Sequence, residues 1–224
     1  MLRAESIVKS FGKLTVIKSI DLEIQKGKIV SIVGASGAGK STLLHILGTL
    51  DKPDKGRVWL DDVELSRLKG NDLANYRNRN IGFIFQFHNL LPEFSALENV
   101  CIPAYLSGKK GDAEVINRGK ELLDMLGLKD RMEHKPSQLS GGEQQRTAVA
   151  RALMNNPSVV FADEPSGNLD SQTADDLHSL FFRLRDEMNQ TFVIVTHNEE
   201  LADMADEKFE IKDGVLFDEE NTQD

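Results

Sequence analysis

GASGAGKS, residues 34–41, stands directly behind the apolar run Lys28–Val33 and opens the segment STLLHILGTL, residues 41–50. A continuous apolar run reads as a buried strand, and the i, i+3, i+4 spacing of the second segment reads as a packed helix. Between a strand and a helix, a glycine-rich turn of this composition is a complete P-loop, whose backbone N–H groups wrap phosphates. Gly34, Gly37 and Gly39 allow close backbone approach and angles that a Cβ forbids. With Ala35, Ser36, Ala38 and Thr42 they form the candidate cradle. Lys40 supplies positive charge to the β- and γ-phosphates of a nucleotide, and the Ser41 hydroxyl is suited to ligate Mg²⁺.

About a hundred residues later the chain reads LSGGEQQR, residues 139–146. Ser140-Gly-Gly-Glu143 is a helix start whose exposed N–H groups also suit an anion. One nucleotide needs one phosphate cradle, so Ser140, Gly141 and Gly142 read as half of a second site. Two copies of the chain would complete both.

Composition narrows the alternatives. The 224 residues suit one compact domain with a real core, and 27 basic against 36 acidic residues give a net charge of −9. That balance argues against a surface-wide nucleic-acid groove and against a polybasic lipid contact. Cys101 is the only cysteine; no intrachain disulfide is possible, which suits a reducing compartment. It lies in NVCIPAYL and reads as a small buried hydrophobe. Runs such as TFVIVTH are of strand length, far short of a membrane span, so any membrane association is expected through a partner, without direct lipid insertion.

The pattern along the chain is α/β. Apolar alternation at Ile7–Val8, Val16–Ile17 and Ile20–Ile24 predicts an N-terminal antiparallel β-layer. RVWLDDVEL, residues 57–65, predicts one further strand and Ile81–Phe85 another. Residues 90–156 read as a helical subdomain insertion. Ser95–Glu98 is a capping box, Asp112 caps a helix to about Leu126, and Ser140 caps a third that ends near Pro157. Strand–helix alternation resumes with Ser158–Ala162, Ser171–Met188, Thr191–Thr196 and Asn198–Ala205. Lys208–Lys212 is the last strand before the Asp213-Gly214 turn, and the tail from Asp218 is polar. Residues 1–89 and 157–224 thus make a parallel-sheet core with its β-layer. Ligands of such sheets bind beyond the carboxyl ends of the strands.

Three further strand ends carry polar groups. SVVFADE ends in Asp163 and Glu164, adjacent carboxylates that are costly to bury unpaired. Beside a P-loop, Asp163 suits the outer coordination sphere of Mg²⁺ and Glu164 suits a general base for the attacking water. His197 ends TFVIVTH, where it can hydrogen-bond a γ-phosphate. Gln86 ends Ile81–Phe85, and its amide can reach both Mg²⁺ and the water.

Taken together, Gly34–Ser41, Gln86, Leu139–Gln145, Val159–Glu164, Ser166–Asp170 and His197 resemble the nucleotide-binding subunit of an ABC transporter over essentially the whole chain. The resemblance implies a P-loop NTPase (RecA-like) fold and Mg²⁺-dependent ATP hydrolysis. It implies a homodimer with ATP sandwiched between the P-loop of one copy and Ser140–Gly142 of the other. Asp170 would run along that interface, and Phe11 would lie against the adenine ring. Residues 81–106 and 163–170 resemble the lipoprotein-releasing and macrolide-export subfamily. There the stretch after Gln86 (Phe87, Leu90, Leu91, Phe94, Leu97) docks a helix of an integral membrane permease at the cytoplasmic face of the inner membrane. The absence of a fused membrane segment favours lipoprotein release. A macrolide or peptide exporter and a cell-division ABC complex share the motifs. Two other classes are a non-transport ABC ATPase acting on DNA or ribosomes, and a nucleotide-binding scaffold without turnover. The single cassette and acidic balance disfavour the first, and Glu164, Gln86 and His197 disfavour the second.

Overall fold

The computed structural model describes residues 1–108 and 113–218; the expected cap at Asp112 and the tail beyond Asp218 lie outside the described residues. From the N-terminus run β1 (Leu2–Phe11), β2 (Leu14–Ile24), β3 (Ile29–Val33), α1 (Lys40–Leu47), β4 (Lys55–Leu60) and β5 (Val63–Glu64). Next come α2 (Gly70–Asn80), β6 (Ile81–Phe85), α3 (Ala96–Leu106), α4 (Ala113–Met125) and α5 (Gly141–Leu153). The chain continues through β7 (Val159–Asp163), α6 (Ser171–Met188), β8 (Thr191–Val195), α7 (Glu199–Met204), β9 (Glu207–Lys212) and β10 (Val215–Asp218). It divides into two compact units: Met1–Leu73 with the described residues from Phe181 onward, and Ala74–Leu180.

The first unit holds the antiparallel layer, in the order β2-β1-β4-β5, and a second set in the order β10-β9-β3-β8. β3 pairs in parallel with both β8 and β9. Every residue of β3 and of β8 is buried, the condition of a strand covered on both faces. Behind them Phe181 and Phe192 pack with ring centres 5.0 Å apart.

In the second unit β6 and β7 run in parallel, Ile81 opposite Val159 and Phe85 opposite Asp163. α5 lies close on β6: a Cβ on Gly82 would come within 2.7 Å of the Ala152 carbonyl oxygen. α3 and α4 cross closely at Gly119, where a Cβ would meet Cys101 Sγ at 2.8 Å and Leu97 Cδ1 at 2.9 Å. Cys101 is fully buried as expected, and burial pushes its thiol pKa up.

Four local expectations change. Residues 57–65 form a hairpin instead of one strand, because Asp61, at φ 53°, turns the chain between β4 and β5. α1 stops at Leu47, where Gly48 N donates to the Leu44 carbonyl at 2.9 Å and Thr49 N to the Ile46 carbonyl at 3.1 Å. α2 has no buried residue, so no apolar periodicity announces it. β10 pairs antiparallel with β9 across the Asp213-Gly214 turn, which extends the fold to Asp218.

The loop between β6 and α3 is fixed from inside. Asn99 is fully buried; its Nδ2 donates to the carbonyls of Leu91 (3.1 Å), Phe94 (3.1 Å) and Ser95 (3.0 Å). Its Oδ1 accepts from Leu91 N at 2.8 Å. Asn99→Ala strips partners from several buried main-chain groups, so the unfolding free energy should fall by ~2–3 kcal/mol. Urea denaturation followed by circular dichroism measures this; a loss under ~1 kcal/mol would show that the loop does not depend on this amide.

Candidate functional site

The phosphate cradle starts where β3 ends. Gly34 leaves the strand at φ 141° so close to β9 that a Cβ would collide with the Ile211 carbonyl oxygen. Gly39, at φ 107°, is the N-cap of α1, and a Cβ there would come within 2.7 Å of Ile17 Cδ1. Both positions therefore need glycine for packing as well as for backbone angle. Ala35, Ser36, Gly37 and Ser41 are exposed, and Ala38 and Thr42 are half-buried. Lys40 Nζ donates to the carbonyls of Gly34 (2.8 Å) and Ala35 (3.1 Å), which curls the ammonium over the loop. No side chain caps α1 and no acid stands in its first turn, so the helix offers bare N–H groups and the positive end of its dipole.

β8 brings His197 to the same end. Ile32 lies opposite Val195, and Thr196 N donates to Ile32 O at 3.3 Å. The loop after β3 and the segment after β8 thus leave adjacent strands together, with His197 exposed. Phe11 is 55% exposed at the end of β1, and Lys9 Nζ stands 5.3 Å from its ring centre. Lys9 is anchored by Asp51 at 2.8 Å and by the Lys52 carbonyl at 2.7 Å, and its hydrogen bond holds the Asp51 carboxyl below the usual range. The ring is thereby steadied while most of it stays open.

The second unit gathers the other residues. Gln86 and Glu164 leave the same end of β6 and β7. Gln86 Nε2 donates to Asn168 Oδ1 at 3.2 Å, and Asn168 Nδ2 returns a bond to the Gln86 carbonyl at 3.1 Å. Gly167 leaves room for this pairing, since a Cβ would stand 2.8 Å from Gln86 Nε2. Asp163 and Glu164 are half-buried, and Glu164 sits at φ 47°, a left-handed conformation that favours glycine or asparagine.

Ser140 caps α5 as the sequence predicts. Its hydroxyl accepts from Glu143 N at 3.2 Å, and Glu143 Oε2 accepts from Ser140 N at 2.8 Å. Arg131 Nε donates to Glu143 Oε1 at 2.9 Å. The Ser140 N–H and this guanidinium together hold the Glu143 carboxyl below its ordinary pKa. Ser140 and Gly141 face solvent. Gly142 is buried against α6, where a Cβ would meet Thr173 Cγ2 at 2.5 Å; a Cβ on Gly141 would touch Leu169 at 3.6 Å. Asp170 caps α6 by accepting from Thr173 N (3.0 Å) and Thr173 Oγ1 (2.7 Å), bonds that lower its pKa.

The structure therefore brings Ser140–Gly142 against the Leu169–Thr173 segment, and ties Gln86 to Asn168. Residues that sequence reading did not single out hold these contacts: Arg131 and Thr173, and His178, whose buried ring lies 3.0 Å from Ser166 Oγ. His178 had one available signal, a polar residue on the apolar stripe of α6. Among the described residues no group of three or more His, Cys, Asp or Glu side chains could hold a metal ion, and no helix is long and apolar enough to cross a membrane.

Comparison with known proteins agrees with this geometry. Residues 17–167 match the ABC transporter family. The lipoprotein-releasing system ATP-binding protein LolD of Cytophaga hutchinsonii is 60% identical over 97% of this chain and 99% of its own. Its counterpart in Bacteroides thetaiotaomicron is 59% identical over 96% and 99%. Among solved structures, the cassette MJ0796 in a dimeric post-hydrolysis state bound to ADP and Pi superposes with a TM-score of 0.87, at 40% identity over 96% of each chain. A dimeric structure of the same bacterial ABC transporter cassette gives the same values. The chain belongs to the ABC transporter family, as one of its ATP-binding subunits.

Proposed function

We propose that this chain is the ATPase subunit of a lipoprotein-releasing transporter and works as a homodimer bound to an integral membrane permease at the cytoplasmic face of the inner membrane. The observation that carries the reading is near full-length identity of 60% to a protein named for lipoprotein release, in a chain whose P-loop and Ser140 helix start both offer N–H groups to anions.

In this reading the backbone of residues 34–42 and Lys40 hold the β- and γ-phosphates, and Phe11 stacks on the adenine. Ser41 and Gln86 would ligate Mg²⁺, with Asp163 in its outer coordination sphere; a hydroxyl and an amide oxygen, backed by a carboxylate, suit a hard cation that keeps several waters. The ion, when bound, neutralises charge on the phosphates. Glu164 accepts a proton from the attacking water, and His197 hydrogen-bonds the γ-phosphate. Ser140, Gly141 and Gly142 face the γ-phosphate bound by a second copy. The dimeric state of MJ0796 supports that arrangement. Asp170, locked onto Thr173, gives the interface a fixed edge. Closure of the dimer on ATP brings the positive end of α5 to a terminal phosphate; hydrolysis removes the reason for closure.

The residues 90–156 serve as the permease-facing subdomain. Partly within them, a groove of about 570 Å³ is lined by apolar Phe83, Phe85, Pro103 and Leu106 and by polar Arg77, Asn89 and Arg151. Phe87 (73%), Leu91 (43%) and Phe94 (41%) are exposed at the segment after Gln86, whereas Leu97 is buried in α3 and belongs to its packing. A groove of mixed apolar and cationic lining, reached at Asn89 by a segment that exposes Phe87, Leu91 and Phe94, suits an amphipathic permease helix.

Glu164→Gln should lower steady-state ATP hydrolysis roughly 10²–10⁴-fold and leave a stable ATP-bound dimer. Phosphate release and gel filtration with Mg·ATP measure both; unchanged turnover removes Glu164 from its role. Lys40→Ala should lose nucleotide binding, whereas Ser140→Arg should bind nucleotide and fail to dimerise. Fluorescent-nucleotide titration beside light scattering separates them, and equal loss of binding in both variants refutes the shared site. Reconstitution with the lipoprotein-release permease in vesicles tests the cargo: ATP-driven release of an acylated protein is expected, and stimulation only by a different permease overturns it.

A further inference from the structure

Gln86 is followed at once by an unusual turn. His88 and Asn89 are consecutive residues in the left-handed region, at φ 59° and 50°. One such residue is uncommon; two in succession need support from their surroundings. The support comes from α5. Arg151 Nη2 donates to the His88 carbonyl at 2.7 Å and Nη1 to the Asn89 carbonyl at 2.6 Å. The planar guanidinium spans two adjacent carbonyls with two short parallel bonds, which a lysine ammonium could not reproduce.

The arginine is committed to this contact. Its guanidinium is largely withdrawn from water, and burial pulls its pKa below the ordinary value. The His88 ring beside it has a buried Nε2 with no hydrogen-bond partner among the described residues, and burial, with the nearby guanidinium charge, pushes the imidazole toward its neutral form. The helix that carries Arg151 has little freedom of its own. It packs against β6 at Gly82, and Asn155, just past its end, donates to the Asn78 carbonyl at 2.8 Å.

We infer that Arg151 is a positioning residue that locks the His88–Asn89 turn to α5, so that Gln86, the apolar segment after it and the Ser140 end of α5 move as one body. Gln86 is held from two sides: by Asn168 through its amide and by Arg151 through the turn two residues beyond. A displacement of residues 87–94 is then delivered to Ser140 without slack. This inference rests on the ATPase reading above and adds to it a residue that stands off the nucleotide site and lines the groove assigned to the permease.

The test compares full-length wild type, Arg151→Met and Arg151→Lys. Steady-state hydrolysis over a range of ATP concentrations should give Arg151→Met a KM within about twofold of wild type and a kcat reduced about tenfold, the pattern of a misplaced reacting group with intact binding. Arg151→Lys should recover part of kcat, to within about threefold of wild type. Amide hydrogen exchange should show faster exchange in residues 86–91 of Arg151→Met, with residues 141–150 unchanged. Wild-type kcat in Arg151→Met, or equal speeding of exchange across all of α5, overturns the proposal. If Arg151→Met fails to fold, Arg151→Lys carries the test: a lowered kcat at unchanged KM supports the clamp, and wild-type kinetics refute it. A wild-type chain that hydrolyses no ATP refutes the ATPase reading instead, and the exchange of residues 86–91 still decides the clamp.

Discussion

A strand buried on both faces has no room for a charged or strongly polar side chain along its length. β3 and β8 are buried at every residue, and β7 at all but Asp163. Chemistry in such a sheet is confined to the residues that follow each strand. That constraint explains why Gly34, Gln86, Glu164 and His197 all stand immediately beyond apolar runs. It also makes most of the site legible in the sequence as a set of strand endings.

The second requirement is backbone N–H groups that nothing in the fold consumes. Helix starts supply them, and the two starts here are prepared differently. α1 is left uncapped behind three glycines. α5 is capped by a reciprocal Ser140–Glu143 pair, itself braced by Arg131. The cap fixes the direction in which α5 begins, while Ser140 and Gly141 remain at the surface. A rigid, exposed helix start suits a ligand that arrives on another subunit, whereas the P-loop suits one held by its own chain.

Legibility in the sequence followed the range of the interactions. Short-range signals survived well: the capping boxes at Ser95 and Ser140 formed, and α6 has the bounds its periodicity implied. α2 escaped notice because a helix without a buried face leaves no periodic trace. The Asp61 turn was hidden inside an otherwise strand-like composition, and β10 is a short strand in a polar stretch. The supporting contacts were invisible for a different reason. Asn99 serves carbonyls four to eight positions away, and Arg151 serves carbonyls more than sixty away. Nothing local in either side chain's neighbourhood names its partner.

The left-handed backbone at Glu164 has an evolutionary corollary. A carboxylate side chain in that conformation costs the fold ~1–2 kcal/mol relative to residues that adopt it freely. Replacement by asparagine would relieve the strain and remove the proton acceptor in one step. Thermal robustness and turnover therefore pull this position in opposite directions, and a population screened for heat tolerance alone would drift toward sturdier, idle protein.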